Sequence, residues 1–357
     1  MPSLEESKNR LDQIIRKARI HLYKPIQIAE ILYHHRKGPS FSLSRLESYR
    51  TKSKQWRDEI SQRLVGRSST SSARFQDNLF ESNAMPAQYL ARLGMANEEK
   101  QKGIVETYIY SCITKRFEYV NEIVRYVFNA TNGSFSLSDL IEMFTVEPGL
   151  KRSIDKCYEI IAYALFNIII SHLETTITLE TAPGKKGLLK EFEDFTKLVL
   201  GLSPDIPKIV IPASIFRAGV TNAADRGVDI WSNFGPVIQI KHVTLDQDNA
   251  SDITDQVADN AKIIVVCKSA EEEIIKNVFK QVGFSKKIQG IVTQDDLETW
   301  YERCLKGKYA RTLGQEVINV LKYEFLQEFP SAGPVLLSFI KERGYDKFKL
   351  TDIWAVN

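Results

Sequence analysis

The chain has 357 residues, 43% of them hydrophobic and 26% charged, which excludes disorder, collagen-like repeats and coiled-coil rods as descriptions of the whole. The length suits two domains, or one large domain with additions. The net charge of +3 is unevenly spread, because residues 1–75 hold 16 Lys and Arg against 7 Asp and Glu while the remainder carries a balance of −6.

The opening segment MPSLEESKNRLDQ is charged and lacks the apolar stretch of a signal peptide. Residues 4–19 and 25–36 carry apolar residues at helical spacing: Leu11, Ile14 and Ile15, then Ile26, Ile28, Ile31 and Leu32. Residues 42–65 read as a longer basic helix with Leu43, Leu46, Trp56, Ile60 and Leu64 as its apolar stripe. The Ser-rich loop GRSSTSSARFQDN follows at 66–78, with Arg67 and Arg74 in it. Basic residues concentrate between Arg36 and Arg74, so Lys52, Lys54, Arg57, Arg63, Arg67 and Arg74 are the candidate contacts to a polyanion. A solvated helix face would have the same composition.

Residues 97–129 and 151–175 are expected as two long helices whose aromatics recur at helical spacing, as core residues do. A short helix at 136–144 is capped by Ser136 or Ser138. The most apolar run, Ile160 to Ile170, spans eleven residues, too short for a bilayer crossing of about 20. Cys112, Cys157, Cys267 and Cys304 form no CxxC pair and are expected as free thiols in a reducing cytoplasm.

The texture changes at TAPGKKG, residues 181–187. An amphipathic helix is expected at 188–200, then strands at Lys208–Pro212, Gly227–Ser232, Pro236–Thr244, Lys262–Cys267 and Lys287–Val292. Helices at 251–260 and 270–282 separate the later strands, and 294–306, 311–328 and 333–343 return to helix. This order implies a mixed sheet with helices on its faces, an α/β (α+β) chain.

The segment AADRGVDIWSNFGPVIQIKHVTL, residues 223–245, carries the chemistry. Asn233-Phe234-Gly235-Pro236 is a turn between two strands. Alternation puts Val237, Gln239, Lys241 and Val243 on one face of the second strand, and Ile238, Ile240 and His242 on the other. Asp229 lies on the preceding strand, so an Asp, an amide and a Lys converge at one end of a sheet. Phosphodiester hydrolysis needs such a set. The Asp holds Mg²⁺, which polarises the phosphoryl oxygen and acidifies a bound water. The Lys supports the attacking water or the developing charge. A Lys two positions after an Asp, Glu or Gln occurs at Glu6/Lys8, Glu98/Lys100 and Gln239/Lys241, and only the last lies in a β-type run beside an Asp-bearing strand. A Lys that merely pairs with Asp229 is the bland reading of the same residues. His242, on the opposite face, reads as a packing residue. There is no GxGxxG after a strand, no GxxxxGK[ST], no HExxH and no GxSxG, and the five histidines show no ligand spacing beyond His34-His35, which reads as a capping cluster at a helix end.

Asp229, nine intervening residues and Gln239-Ile240-Lys241 resemble the PD-(D/E)xK motif of many type II restriction endonucleases. The length, HLYKPIQIAEILYHHR at 21–36 and SSARFQDNLF at 71–80 are most similar to the HaeII-type restriction endonucleases, along most of the chain. The resemblance implies a PD-(D/E)xK-like mixed-sheet core at 181–306, a large helical and basic region at 1–180 for DNA binding and dimerisation, and C-terminal helices at 307–357 packed on the core. It implies a homodimer that cuts duplex DNA within purine-GCGC-pyrimidine using Mg²⁺, in a bacterial or archaeal cytoplasm, beside a cognate DNA methyltransferase and away from membranes. Asp229 and Gln239 then hold metal, and Lys241 completes the catalytic set.

Two departures stand out. Gln239 occupies the usual acidic position and carries no charge, and Val228 replaces the usual Pro. Asp225, four residues before Asp229, and Glu191 are the candidate compensating ligands. At 100° per residue Glu191 falls in the arc of Phe195 and Leu198, which turns it toward the sheet. Two alternatives stay open: a repair or recombination nuclease on the same fold, and a non-catalytic DNA-binding protein with a decayed core. The strand segments disfavour a purely helical interaction protein.

Overall fold

The computed structural model describes residues 2–18, 21–38, 40–68, 79–80, 83–99, 102–146, 150, 153–217, 228–256, 262–280, 287–329 and 333–356. They form two compact units, a helical one over Met1–Cys157 and Val320–Asn357 and a sheet-containing one over Tyr158–Gly219 and Asp225–Asn319.

The helical unit holds α1 (Leu4–Lys17), α2 (Tyr23–Lys37), α3 (Arg50–Val65), α4 (Ala87–Glu98), α5 (Ile104–Asn129) and α6 (Leu137–Val146). Ser3 opens α1 with a capping box: its Oγ accepts from Glu6 N at 3.1 Å, and its own N–H donates to Glu6 Oε2 at 2.6 Å. Ser136, not Ser138, caps α6 by accepting from Asp139 N. The helix expected from residue 42 begins at Arg50, with Leu43 and Leu46 in the turns before it. The helix expected at 97–129 is two, α4 and α5. Gly103 adopts a left-handed φ of 102° at the break, where its N–H donates to Asn97 O. One apolar cluster unites Leu11, Ile28, Ile31, Leu90 and Ile109 with Leu336, Phe339, Tyr345 and Trp354. The last helix, Gly333–Arg343, therefore packs into the helical unit, where the sequence had suggested the catalytic core.

The sheet-containing unit takes most of α7 (Ile154–His172), then β1 (Thr176–Glu180), α8 (Lys186–Glu191), α9 (Glu193–Val199), β2 (Lys208–Pro212), β3 (Ile215–Arg217), β4 (Ile230–Ser232) and β5 (Val237–Leu245). After these come α10 (Gln247–Gln256), β6 (Ile263–Ala270), α11 (Glu272–Lys280), β7 (Ile288–Val292), α12 (Gln294–Lys306) and α13 (Ala310–Glu328), the last running on into the helical unit, where α14 (Gly333–Arg343) closes the series. The strands form a five-stranded mixed sheet of order β3-β4-β5-β6-β7 and a separate two-stranded sheet, β1-β2. The β3-β4 and β4-β5 pairs are antiparallel, and the β5-β6 and β6-β7 pairs are parallel across helical crossovers. Strands β1 and β3 are short, and neither is among the strands expected from the sequence. On one face Val237, Val265, Cys267 and Ile288 pack with Ala250 and Ile253 of α10 and Ile274 and Val278 of α11.

Candidate active site

The turn that joins β4 to β5 builds the site. Gly235 sits at a φ of 122°, which a residue with a Cβ rarely adopts. Asn233 ties the turn to the end of β2: its Oδ1 accepts from Ser214 N at 2.8 Å, and its Nδ2 donates to Pro212 O at 3.0 Å. The β4 ladder covers only the first residues of β5, pairing Ile230 with Ile238 and Trp231 with Val237.

Asp229 leaves that ladder. Its N–H donates to Ile238 O at 3.1 Å, but its carboxylate takes the next rung, with Oδ2 accepting from Ile240 N at 2.7 Å. These two bonds bracket Gln239 and hold a carboxylate against β5 where the strands part. Gln239 pairs with Val265 and Lys241 with Cys267 on β6, so both follow the alternation of the sheet. A register shift between Lys241 and Thr244 ends that alternation. Val243, expected on the Gln239 face, lies within this shift and is exposed.

Gln239 is only 3% exposed, and its Oε1 is buried without a hydrogen-bond partner among the described residues. An unpaired buried acceptor costs about 1–3 kcal/mol. Lys241 is half-buried and makes no ion pair or hydrogen bond among the described residues, which removes the reading of it as the ion-pair partner of Asp229. Cys267, opposite Lys241, is no nucleophile, since burial pushes its thiol up to about 12. His242 packs against the Tyr158 ring at 4.7 Å, in keeping with its reading as a packing residue.

The donor set suits a hard divalent cation in kind. It offers one carboxylate and one desolvated amide oxygen whose lone pairs are unmet. Among the described residues no group of three or more His, Cys, Asp or Glu could hold a metal. Asp225 lies outside the described residues. Glu191 is exposed rather than turned toward the sheet. The helix expected at 188–200 breaks at Phe192 (φ −111°, ψ 37°) into α8 and α9, and both Phe195 and Leu198 face solvent. A buried ion pair beside the site has no local signal in the sequence. Arg217, at the end of β3 opposite Ile230, donates to Glu159 of α7 at 2.9 Å. The two lie 58 residues apart, beyond the reach of any local motif.

The candidate polyanion contacts divide. Lys52 is exposed and Lys54 half-buried on α3, and neither has a partner among the described residues. Arg57 is 1% exposed, donates to Asp58 Oδ1 at 2.8 Å and lies beside the Tyr23 ring, so it is a core residue. Arg63 pairs with Glu342 and stacks over Phe339, and Arg67 donates to Gln327 O. Arg74 lies outside the described residues. Of the histidine pair, His34 stacks on Trp56 at 4.0 Å and His35 pairs with Glu98. Among the described residues no helix is long and apolar enough to cross a membrane, and the four cysteines are free.

Comparison with known proteins agrees with the resemblance read from the sequence. The chain is 46% identical to the type II restriction enzyme NgoBI of Neisseria gonorrhoeae over 344 residues, covering 96% of this chain and 97% of the relative. It is 44% identical to the type II restriction enzyme HaeII of Haemophilus aegyptius over 348 residues, covering 97% and 98%. No solved structure matches. The HaeII restriction endonuclease family matches residues 7–345, and the chain belongs to that family.

Proposed function

We propose that the chain is a divalent-metal-dependent type II restriction endonuclease whose active site is Asp229, Gln239 and Lys241 on a PD-(D/E)xK-like core. Family membership supports the class, a site-specific deoxyribonuclease. The observation that carries the site is the Asp229 carboxylate on Ile240 N–H, with the desolvated Gln239 oxygen and the Lys241 ammonium, unpaired among the described residues, at the flanking positions of β5. Asp229 and Gln239 would hold Mg²⁺, which when bound polarises the scissile phosphate and acidifies a water. The chain's own part is positional and electrostatic. The β5 backbone fixes the Asp229 carboxylate through Ile240 N–H. Lys241 holds an ammonium, which no carboxylate neutralises among the described residues, where negative charge develops.

The substrate in this reading is duplex DNA at a palindrome, purine-GCGC-pyrimidine by resemblance to the family. Two strands related by a two-fold axis call for a homodimer with one site per strand. A cognate methyltransferase that protects the host site, and a bacterial or archaeal cytoplasm, belong to the same reading. A second reading, a DNA-binding chain that no longer cuts, is favoured by the uncharged Gln239 and by the small carboxylate count at the site among the described residues.

Incubating the purified chain with mixed plasmids, with and without Mg²⁺, and sequencing the ends decides between them. Discrete ends at one palindrome, only with metal, are expected. Asp229→Ala is expected to lower cleavage by about 10³-fold or more with DNA binding retained. A smear of ends, or cutting that survives Asp229→Ala, overturns the site. Tight binding without cutting by the unmutated chain establishes the second reading.

A further inference from the structure

Residues 173–212 form an arm with little core of its own. Among the described residues strands β1 and β2 pair only with each other, from Thr176 opposite Pro212 to Glu180 opposite Lys208, and α8 and α9 fill the connection between them. The register places Ile177, Leu179, Ile209 and Ile211 together on one ribbon face, where Leu179 and Ile211 are exposed. At the tip Leu198 is 88% and Phe195 53% exposed, with Leu188, Phe192 and Val199 exposed beside them. Of the 24 exposed large apolar side chains among the described residues, 11 lie in these 40 positions. An isolated two-stranded ribbon is marginal in water, and monomers rarely expose contiguous apolar patches beyond a few hundred Å². The apolar surface has a neighbour at the root of the arm: a cavity of about 750 Å³ lined by Ile170, Ile215, Phe234, Trp300 and Tyr309.

The composition of the arm selects its occupant. It holds five lysines, six carboxylates and no arginine, so it is a poor surface for phosphates. Lys185, Lys186 and Lys190 precede Glu191, Glu193 and Asp194, so each arm carries both signs, which lets a two-fold pairing set the basic run of one copy against the acidic run of the other. Pro207 and Pro212 blunt the β2 edge, whereas β1 has no proline. Antiparallel pairing of β1 with its own copy is two-fold symmetric by construction. A standard interface buries about 800 Å² on each partner, to which exposed apolar side chains such as Leu198, Phe195 and Leu179 would contribute from each arm.

We infer that the arm, residues 173–212, is the surface through which a second copy of this chain docks. This deepens the nuclease reading and rests on it for the two-fold requirement, but its test does not depend on cleavage. Light scattering on the eluting full chain at micromolar concentration is expected to give twice the chain mass. Phe195→Asp combined with Leu198→Asp, both on exposed positions, is expected to give the single chain mass with an unchanged circular dichroism spectrum. Leu179→Asp, on the ribbon face, should act in the same direction if the tip variant misfolds. Val146→Asp, an exposed apolar position of the helical unit, is expected to leave the pair intact. A monomeric unmutated chain overturns the inference. So do arm variants that stay paired, or a pair that Val146→Asp alone dissolves. A chain that pairs through the arm but cuts no plasmid sinks the nuclease reading and leaves the arm. A chain that cuts but stays paired after the arm substitutions does the reverse.

Discussion

Glu30 and Glu106 in the helical unit and Gln239 and Lys241 in the sheet unit are all polar groups drawn from water, yet the two units treat them in opposite ways. Glu30 accepts from Tyr110 OH at 2.6 Å and from Arg343 Nη2 at 3.1 Å. Glu106 accepts from Arg36 Nε at 2.9 Å and Nη2 at 2.8 Å, from Asn97 Nδ2 at 2.6 Å and from Tyr345 OH at 2.7 Å. Those lone pairs are met, as structural burial of charge demands. The Gln239 oxygen is unmet and the Lys241 ammonium is unpaired among the described residues. Cancelled charge holds a fold together, whereas charge and lone pairs left open are what a ligand can use.

The largest effect that separates the two kinds of group is on rate. Lys241→Ala is expected to lower DNA cleavage by about 10²–10⁴-fold while leaving the melting temperature within a degree or two. A loss of stability with no loss of rate would move Lys241 to the structural class.

The converse experiment belongs to the helical unit. Arg343→Met leaves Glu30 buried with only the His34 ring, 3.9 Å away, in ion-pair reach among the described residues, and is expected to cost about 3–5 kcal/mol in denaturant unfolding, whereas Arg343→Met with Glu30→Gln should recover most of it. The pH dependence has a definite sign. Burial raises the Glu30 carboxyl above the ordinary range, against the opposing pull of Arg343. The folded state therefore binds its proton more tightly than the unfolded chain does. The contribution of this group is fully present below the unfolded value, about 4.5, and is lost as pH rises through the folded one. The Arg343→Met penalty should accordingly be smallest at acid pH and grow toward neutrality. A penalty flat in pH would mean Glu30 is not the group left stranded.

Much of this contrast was legible in the sequence, and the reasons for the exceptions are physical. Alternation and a single turn signal place Gln239 and Lys241 on one face of a strand, because both are local properties of residues 233–241. Strand β3 spans three residues, too few for a period to show. Charge counting does not separate free cations from partnered ones: Arg57, Arg63 and Arg67 lie against Asp58, Glu342 and a main-chain oxygen, some of them hundreds of positions away, and of the three only Arg57 is buried. The amphipathic reading of 188–200 assumed one unbroken helix facing a core. The break at Phe192 and the exposure of Leu198 show that the apolar stripe there faces outward.

A smaller effect sharpens the same contrast within α3. Lys52 and Lys54 are free among the described residues, and Arg57 is not. Lys52→Ala with Lys54→Ala is expected to weaken DNA binding, to reduce the slope of log affinity against log salt by up to about 2, and to leave stability within about 0.5 kcal/mol. Arg57→Ala should do the opposite, destabilising the chain with the slope unchanged. Equal slopes in both variants would remove α3 from the phosphate interface.

The smallest expected effect is at Glu191. Its candidacy rested on an arc shared with Phe195 and Leu198, and that arc points to solvent. An exposed carboxylate gains little from approaching a distant cation, because water already solvates it and salt screens the attraction. Glu191→Ala should therefore change the half-saturating Mg²⁺ concentration for cleavage by less than about twofold, within ordinary surface scatter. Asp225→Ala, measured in parallel, provides the scale for a carboxylate close to Asp229 in sequence. If Glu191→Ala instead raises the metal requirement tenfold or more, about 1.4 kcal/mol, the carboxylate does reach the site and the exposed arm doubles as part of the catalytic machinery.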